Sequence, residues 1–265
     1  MSITNQFKKN LLDGNIQYGI WNGIPDSYAA EMCAGAGFDW VLIDNEHAPF
    51  DLQRIIHHMQ AIKQFNVPSI VRISSSDPFF TKQLLDAGVQ SLLVPMVESV
   101  EQAELMAKSM RYPPQGIRGV GTALARAAQW NRVDDYFSLS DDQMCLIVQI
   151  ESVKGVEALD EILKVDGVDV VFIGPADLAA SMGFIGEPNR EEVVKEVTEC
   201  FHKIVAAGKY PGILTTSPTL IEKYKTMGAK MIGVGLDTIL LAQATKSLAE
   251  KYKPELKDKQ SNTMY

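Results

Sequence analysis

Five times along this chain a helical stretch closes on glycine and an apolar run follows at once. The five are AGAG-FDWVLID (34–44), LDAG-VQSLLVP (85–95), KVDG-VDVVFIG (164–174), AAGK-YPGIL (206–214) and MGAK-MIGVG (227–235). Glycine past a helix end takes the left-handed conformation cheaply, and the strand after it enters a buried sheet. The runs are continuously apolar, not alternating, which is the pattern of a parallel sheet covered on both faces. Further runs bring the expected strands to 17–21, 39–43, 69–73, 91–95, 145–150, 169–173, 212–214 and 231–235. Eight βα units in 265 residues predict an α/β fold, a single (β/α)8 TIM barrel. An open doubly wound sheet is the alternative, but it would usually carry GxGxxG after its first strand, and none is present.

The intervening helices are amphipathic. Leu52, Ile55, Ile56, Met59 and Ile62 form one stripe at helical spacing. Ser99 with Gln102 reads as a capping box, and Ser217-Pro218 as an N-cap followed by proline at the first helical position. Two regions break the rhythm. Residues 111–142 are long and rich in glycine and proline, and are expected to form an active-site loop with short helical pieces. Residues 252–265 are expected to be a polar C-terminal tail beyond a catalytic barrel of residues 1–251.

The formal net charge is −8, with no block of like charges, which argues against a nucleic-acid surface. A small anionic substrate remains compatible, because one arginine in a pocket outweighs the average surface field. The start, MSITNQFKKN, lacks the apolar core of a signal peptide, and no run reaches membrane-spanning length. Cys33, Cys145 and Cys200 have no zinc spacing, and Cys33 and Cys145 are expected to be buried thiols. A soluble cytoplasmic protein is expected.

In barrels, catalytic groups come from the carboxyl ends of the strands. Those positions hold Asp44-Asn45-Glu46-His47, Arg72, Gln149-Ile150-Glu151 and Gly174-Pro175-Ala176-Asp177. Glu151 and Asp177, on neighbouring strand ends, suit a hard divalent cation, which takes one or two carboxylates plus water and substrate oxygens. Asp177 could instead be a first-turn acid on a helix dipole, and Glu151 a solvated loop acid. His47 follows a strand end, three residues beyond an acid, Asp44, that could orient its ring; a loop histidine held locally is the other reading. His57, His58 and His202 read as surface or helix-edge residues. Arg72 leaves a buried strand and needs an acceptor: a substrate oxygen, or an ion pair with Asp44 or Glu46. Backbone N–H groups of the turn opened by Gly174-Pro175-Ala176 could hold a substrate carboxylate, although Pro175 itself donates nothing.

No lysine falls at the carboxyl end of a strand. Lys154 lies in the helix after Glu151, and Lys209 and Lys230 precede their strands at the opposite rim. A Schiff-base aldolase needs a pocket amine, so electrophilic activation by a metal is favoured.

Five stretches carry a resemblance: FDWVLIDNEHAP (38–49), LLVPMVES (92–99), RYPPQGIRGVG (111–121), VQIES (148–152) and VFIGPADL (171–178). Over roughly Phe7 to Lys251 the chain resembles the HpcH/HpaI aldolases. That resemblance implies a barrel of the phosphoenolpyruvate/pyruvate-domain type. It also implies divalent-metal-dependent (Mg²⁺, Mn²⁺ or Co²⁺) retro-aldol cleavage of 4-hydroxy-2-oxoheptanedioate to pyruvate and succinic semialdehyde, a step of homoprotocatechuate degradation, with no organic cofactor. By motif position it makes Glu151 and Asp177 the metal ligands, His47 the base, Arg72 the pyruvate-oxygen contact and Asp44 the partner of that histidine. Gln149, Ala176 and Leu214 correspond to pocket-lining positions. A homohexamer built from dimers is implied too, with Asp86 matching an acid that a neighbour places near the site. Asn45 departs from the family, standing where relatives often carry glycine or threonine.

Three other readings share these residues. A 2-keto-3-deoxy sugar-acid aldolase would differ in the aldehyde half. A CoA-ester lyase would need a broad nucleotide patch, which the acidic composition supports weakly. A non-catalytic 2-oxo-acid-binding protein would need the metal and the arginine but not His47. All three, like the first, take small-molecule partners and neither nucleic acid nor membrane.

Overall fold

The computed structural model describes residues 3–253. Eight parallel strands close into a barrel in sequence order, each bonded to the next and β8 to β1. They are β1 (Gln17–Asn22), β2 (Trp40–Asp44), β3 (Ser69–Arg72), β4 (Ser91–Val94), β5 (Cys145–Ile150), β6 (Val168–Ile173), β7 (Tyr210–Leu214) and β8 (Met231–Leu236). The helices are α1 (Gln6–Leu12), α2 (Ser27–Ala34), α3 (Leu52–Lys63), α4 (Pro78–Ala87), α5 (Val100–Ser109), α6 (Tyr136–Gln143), α7 (Val153–Ile162), α8 (Pro175–Ser181), α9 (Glu191–Ala206), α10 (Pro218–Thr226) and α11 (Asp237–Tyr252).

The glycines that punctuate the sequence do what their positions demand. Gly37, Gly88, Gly167, Gly208 and Gly228, one in each recurring unit, all have positive φ. Ser99 Oγ accepts the Gln102 N–H, while Gln102 Oε1 reaches back to the Glu98 N–H, one residue before the expected partner. Ser217 caps α10 with Pro218 first in the helix, as its sequence predicts.

Two apolar layers hold the barrel. Its interior is filled by Trp21, Trp40, Leu42, Ile70, Leu93, Cys145, Ile147, Val170, Phe172 and Met231, with Phe7 and Leu11 of α1 packed into the same cluster. A methyl at Gly19 would lie inside the Trp40 ring system, so β1 needs glycine there to admit that indole. The other faces of the strands pack on the amphipathic helices, with Ile55, Met59 and Ile62 of α3 among them.

Four features depart from the sequence expectations. Residues 111–142 join α5 to β5, so they lie at the amino-terminal end of the barrel, away from the catalytic rim. Their aromatic residues Tyr112 and Tyr136 form a small core of their own with Ala128, and the Ala127 N–H donates to Asp86 O. His58 is buried, its ring nitrogens 2.9 Å from Arg54 O and 3.2 Å from Ile24 O, because the loop after β1 closes over α3. Cys33 is half-buried, whereas Cys145 and Cys200 are buried. The expected tail begins inside α11, and from residue 254 it lies outside the described residues.

Helix α11 is unlike the others. Asp237 is its only buried residue; it binds the Asn22 side chain at 3.1 Å and the Gly23 and Ile24 N–H groups at 2.8 and 3.1 Å, tying β8 to the loop after β1. Beyond it, Ile239, Leu240, Leu241 and Leu248 are exposed. Among the described residues no helix is long and apolar enough to cross a membrane.

Candidate active site

At the carboxyl ends of the strands lies a cavity of about 430 Å³, bordered by Trp21, Asp44, His47, Arg72, Gln149, Leu214 and the turn from Gly174 to Asp177. No residue of 111–142 borders it. Parallel strand register brings Asp44 level with Arg72, so the two buried side chains leave adjacent strands toward each other.

Arg72 grips Asp44 with a fork: Nε donates to Oδ1 at 2.9 Å and Nη2 to Oδ2 at 2.5 Å. Its Nη1 lies 3.0 Å from Glu46 Oε2, and its guanidinium sits 5.3 Å from the centre of the Trp21 ring. The Trp21 indole N–H donates to Asp44 Oδ2 at 3.2 Å. Burial pushes the Asp44 carboxyl upward, but the hydrogen bonds and charge of Arg72 outweigh it and hold the group below its ordinary value. Both ion-pair partners considered from the sequence are thus used at once.

Asp44 reaches His47 through the main chain and not the ring. Its Oδ1 accepts the N–H groups of Glu46 at 3.0 Å and His47 at 3.3 Å, as a short acid at the start of a turn commonly does. With its oxygens taken by Arg72, Trp21 and the turn, Asp44 makes no ring contact. The His47 side chain is 67% exposed, and the acid facing its Nε2 is Glu46 Oε2 at 3.7 Å. That oxygen is buried and makes no hydrogen bond, and burial raises the Glu46 carboxyl above its ordinary value.

Glu151 is 2% exposed, which removes the solvated-loop reading. Its Oε1 accepts the Met96 N–H at 2.9 Å, and its Oε2 accepts the Gln149 side-chain N–H. Burial pushes its pKa up to about 7, and the charges of Asp177 and Glu46 add to the rise. Asp177 is exposed in the first turn of α8, so the helix-dipole reading and proximity to Glu151 hold together.

Glu46, Glu151 and Asp177 are therefore three acids near one arginine that is already paired. A carboxyl raised by burial, and further by its acidic neighbours, is the environment a divalent cation relieves. Among the described residues no three His, Cys, Asp or Glu side chains are grouped so as to hold a metal ion. Two carboxylates with open positions for water and substrate fit the habit of Mg²⁺-like ions. Among the described residues no lysine borders the cavity. Lys209 and Lys230 bond Val168 O and Gly14 O at the amino-terminal end, and Lys154 pairs with Glu98.

Gly174, Pro175, Ala176 and Leu214 border the cavity, as does Gln149, whose Oε1 is buried without a partner. Asn45 is buried in the β2 turn and does not border it. Asp86 stands apart on α4, paired at 3.0 Å with the buried Arg118. Sequence reasoning missed Trp21 and Thr215-Thr216-Ser217, which also line the cavity. Applying the strand-end rule to β1 and β7 would have found them. In the sequence Glu46 reads only as an ion-pair partner, and Met96, whose contribution is a main-chain N–H, gives no side-chain signal.

The sequence pattern of the HpcH/HpaI aldolase/citrate lyase family matches residues 17–244. A hydroxypyruvate/pyruvate aldolase of Deinococcus radiodurans is 49% identical over 256 residues, 97% of this chain and 92% of that protein. A 4-hydroxy-2-oxo-heptane-1,7-dioate aldolase of Escherichia coli is 49% identical over 248 residues, covering 94% of this chain and 95% of that protein. The crystal structure of an HpcH/HpaI aldolase/citrate lyase family protein from Burkholderia cenocepacia has a TM-score of 0.89 and 34% identity, covering 94% of this chain and all of that one.

Proposed function

The chain belongs to the HpcH/HpaI aldolase/citrate lyase family and is a carbon–carbon lyase, and we propose that it is a divalent-metal-dependent pyruvate aldolase cleaving 4-hydroxy-2-oxoheptanedioate to pyruvate and succinic semialdehyde. The observation that carries this reading is the rim cavity itself. Asp44, Arg72, Asp177 and an exposed His47 border it, Glu46 pairs with Arg72, Glu151 is buried against the bordering Gln149, and among the described residues no lysine borders it. The Escherichia coli relative supports the substrate.

Glu151 and Asp177 would hold Mg²⁺, Mn²⁺ or Co²⁺, and the bound cation would supply Lewis-acid polarisation of the 2-oxo acid, typically worth several kcal/mol. Everything else falls to side chains. Arg72, immobilised by Asp44 and Glu46, offers its remaining N–H groups to the oxygen that becomes the enolate. His47 removes the proton of the 4-hydroxyl. The C3–C4 bond then breaks, its electron pair enters the pyruvate enolate, and the aldehyde leaves. A proton delivered to C3 completes pyruvate. Gln149, Gly174, Pro175, Ala176 and Leu214 enclose the pyruvate half, and Asp44 keeps the His47 turn and Arg72 in register.

A second reading concerns the nucleophile. The Deinococcus radiodurans relative is as similar as the Escherichia coli one, which supports hydroxypyruvate as an alternative to pyruvate in the synthetic direction. Rates with each nucleophile and a common aldehyde rank the two. The aldolase assignment itself is tested by coupled detection of pyruvate from 4-hydroxy-2-oxoheptanedioate, with and without borohydride. Substrate-dependent inactivation by borohydride would reveal a Schiff base and contradict the metal mechanism.

The assembly belongs to the same reading. The uncovered apolar side of α11 supports association with further copies, and the family resemblance is the support for a hexamer. Asp86, partly exposed on α4 and fixed by Arg118, is the acid proposed to reach a neighbouring copy's site.

A further inference from the structure

Glu151 is enclosed on three sides. Its Oε1 accepts the N–H of Met96, a non-glycine residue held at φ 50°, a backbone conformation kept only where the surroundings enforce it. Its Oε2 accepts the Gln149 side-chain N–H. The third side is Gly174. A methyl group built there would overlap Glu151 Oε2 and come within 2.8 Å of Glu151 Cβ and 2.9 Å of Gln149 Nε2.

Conformation does not explain the glycine. Gly174 has φ −96° and ψ 93°, which any L-residue adopts. Nor can its main chain retreat, because its N–H donates to Ile150 O at 3.1 Å, on the strand that leads into Glu151. What the position requires is the missing side chain.

We propose that Gly174 and Gln149 are positioning residues that fix the Glu151 carboxylate for a divalent cation, Gly174 by yielding the space the carboxylate occupies and Gln149 by orienting Oε2. This rests on the assignment of Glu151 as a cation ligand. The carboxylate is set in place before the ion arrives, so the ion need not order it on binding. A side chain at residue 174 turns Glu151 away while leaving its charge intact.

The test is Mn²⁺ binding to the full-length, metal-free protein, read from the electron paramagnetic resonance of free Mn²⁺, beside thermal unfolding. Gly174→Ala is expected to lower Mn²⁺ affinity about 10-fold or more while keeping a cooperative unfolding transition. Glu151→Asp, one methylene shorter, is expected to restore part of that loss when combined with Gly174→Ala, a rescue that general damage to the fold would not give. Gln149→Met removes the Oε2 donor without adding bulk, is expected to lower affinity about 10-fold, and carries the test if Gly174→Ala fails to fold. Wild-type affinity in folded Gly174→Ala or in Gln149→Met overturns the proposal, as does a double variant no better than Gly174→Ala. Wild-type affinity in Glu151→Ala overturns the ligand assignment instead, so the two failures are distinguishable.

Discussion

Arg72 and Asp44 form a two-pronged ion pair inside the barrel rim, Nε to Oδ1 at 2.9 Å and Nη2 to Oδ2 at 2.5 Å, with both side chains buried. One pair thus serves two elements. Arg72 is aimed into the cavity, and the Asp44 Oδ1 that receives it also holds the turn carrying His47.

Asp44→Asn keeps the volume and removes the charge, leaving a buried guanidinium with Glu46 as its remaining acid. Breaking a buried pair typically costs about 3–5 kcal/mol, so thermal unfolding is expected to fall by several degrees. The acid limb follows from the lowered Asp44 carboxyl. Its contribution is present above the ordinary aspartate range and lost as pH falls through the lower folded value. The variant is therefore expected to lose less stability than wild type on acidification below about pH 4. Equal acid sensitivity of the two proteins would contradict this.

His47→Ala is expected to lower kcat by about 10²–10⁴-fold, the usual contribution of a general base, with a smaller change in KM. Glu46→Gln keeps a hydrogen-bonding side chain of the same shape but removes the charge beside both Arg72 and His47. It is expected to lower kcat more than it raises KM. Near-normal turnover in His47→Ala would remove the base from the account.

Glu151 gives metal-free protein a pH dependence opposite in sign to that of Asp44. With its carboxyl raised to about 7, the folded state binds more protons than the unfolded state between the ordinary glutamate range and neutrality. Stability of the metal-free protein therefore falls as pH rises through that window, by up to about 3 kcal/mol at 1.36 kcal/mol per pH unit. Glu151→Gln is expected to abolish this slope. Added cation is expected to flatten it in wild type, since the ion takes the place of the proton. A metal-free profile unchanged by Glu151→Gln would contradict the assignment.

The barrel was legible because glycine at helix ends and continuous apolar runs are local signals, and Gly37, Gly88, Gly167, Gly208 and Gly228 carry them unambiguously. Asp44, Arg72, Gln149 and the Gly174–Asp177 turn were legible for a related reason: strand direction alone puts them on one rim. What depended on side-chain packing was hidden. His58 lies off the apolar stripe of α3 and is buried by a loop that follows β1, far away in sequence. Glu46 faces the His47 ring because Arg72 has already claimed Asp44, an outcome no spacing rule anticipates. The length of 111–142 suggested function, but its place between a helix and the next strand put it at the opposite rim.

Helix α11 gives a prediction independent of catalysis. Leu241→Asp with Leu248→Asp places charges on a surface whose apolar residues touch little of their own barrel; Leu241 is 56% exposed. Light scattering is expected to show dissociation to smaller species, with barrel secondary structure retained by circular dichroism. An unchanged mass would show that α11 takes no part in the assembly.

On this reading Glu151 and Asp177 hold the catalytic cation. Pyruvate release from 4-hydroxy-2-oxoheptanedioate by chelator-stripped protein, with and without added Mg²⁺, Mn²⁺ or Co²⁺, tests it most directly. Activity is expected to vanish on stripping and to return with metal in wild type but not in Glu151→Ala or Asp177→Ala. Full activity after thorough stripping, or metal-restored activity in either variant, would contradict the account.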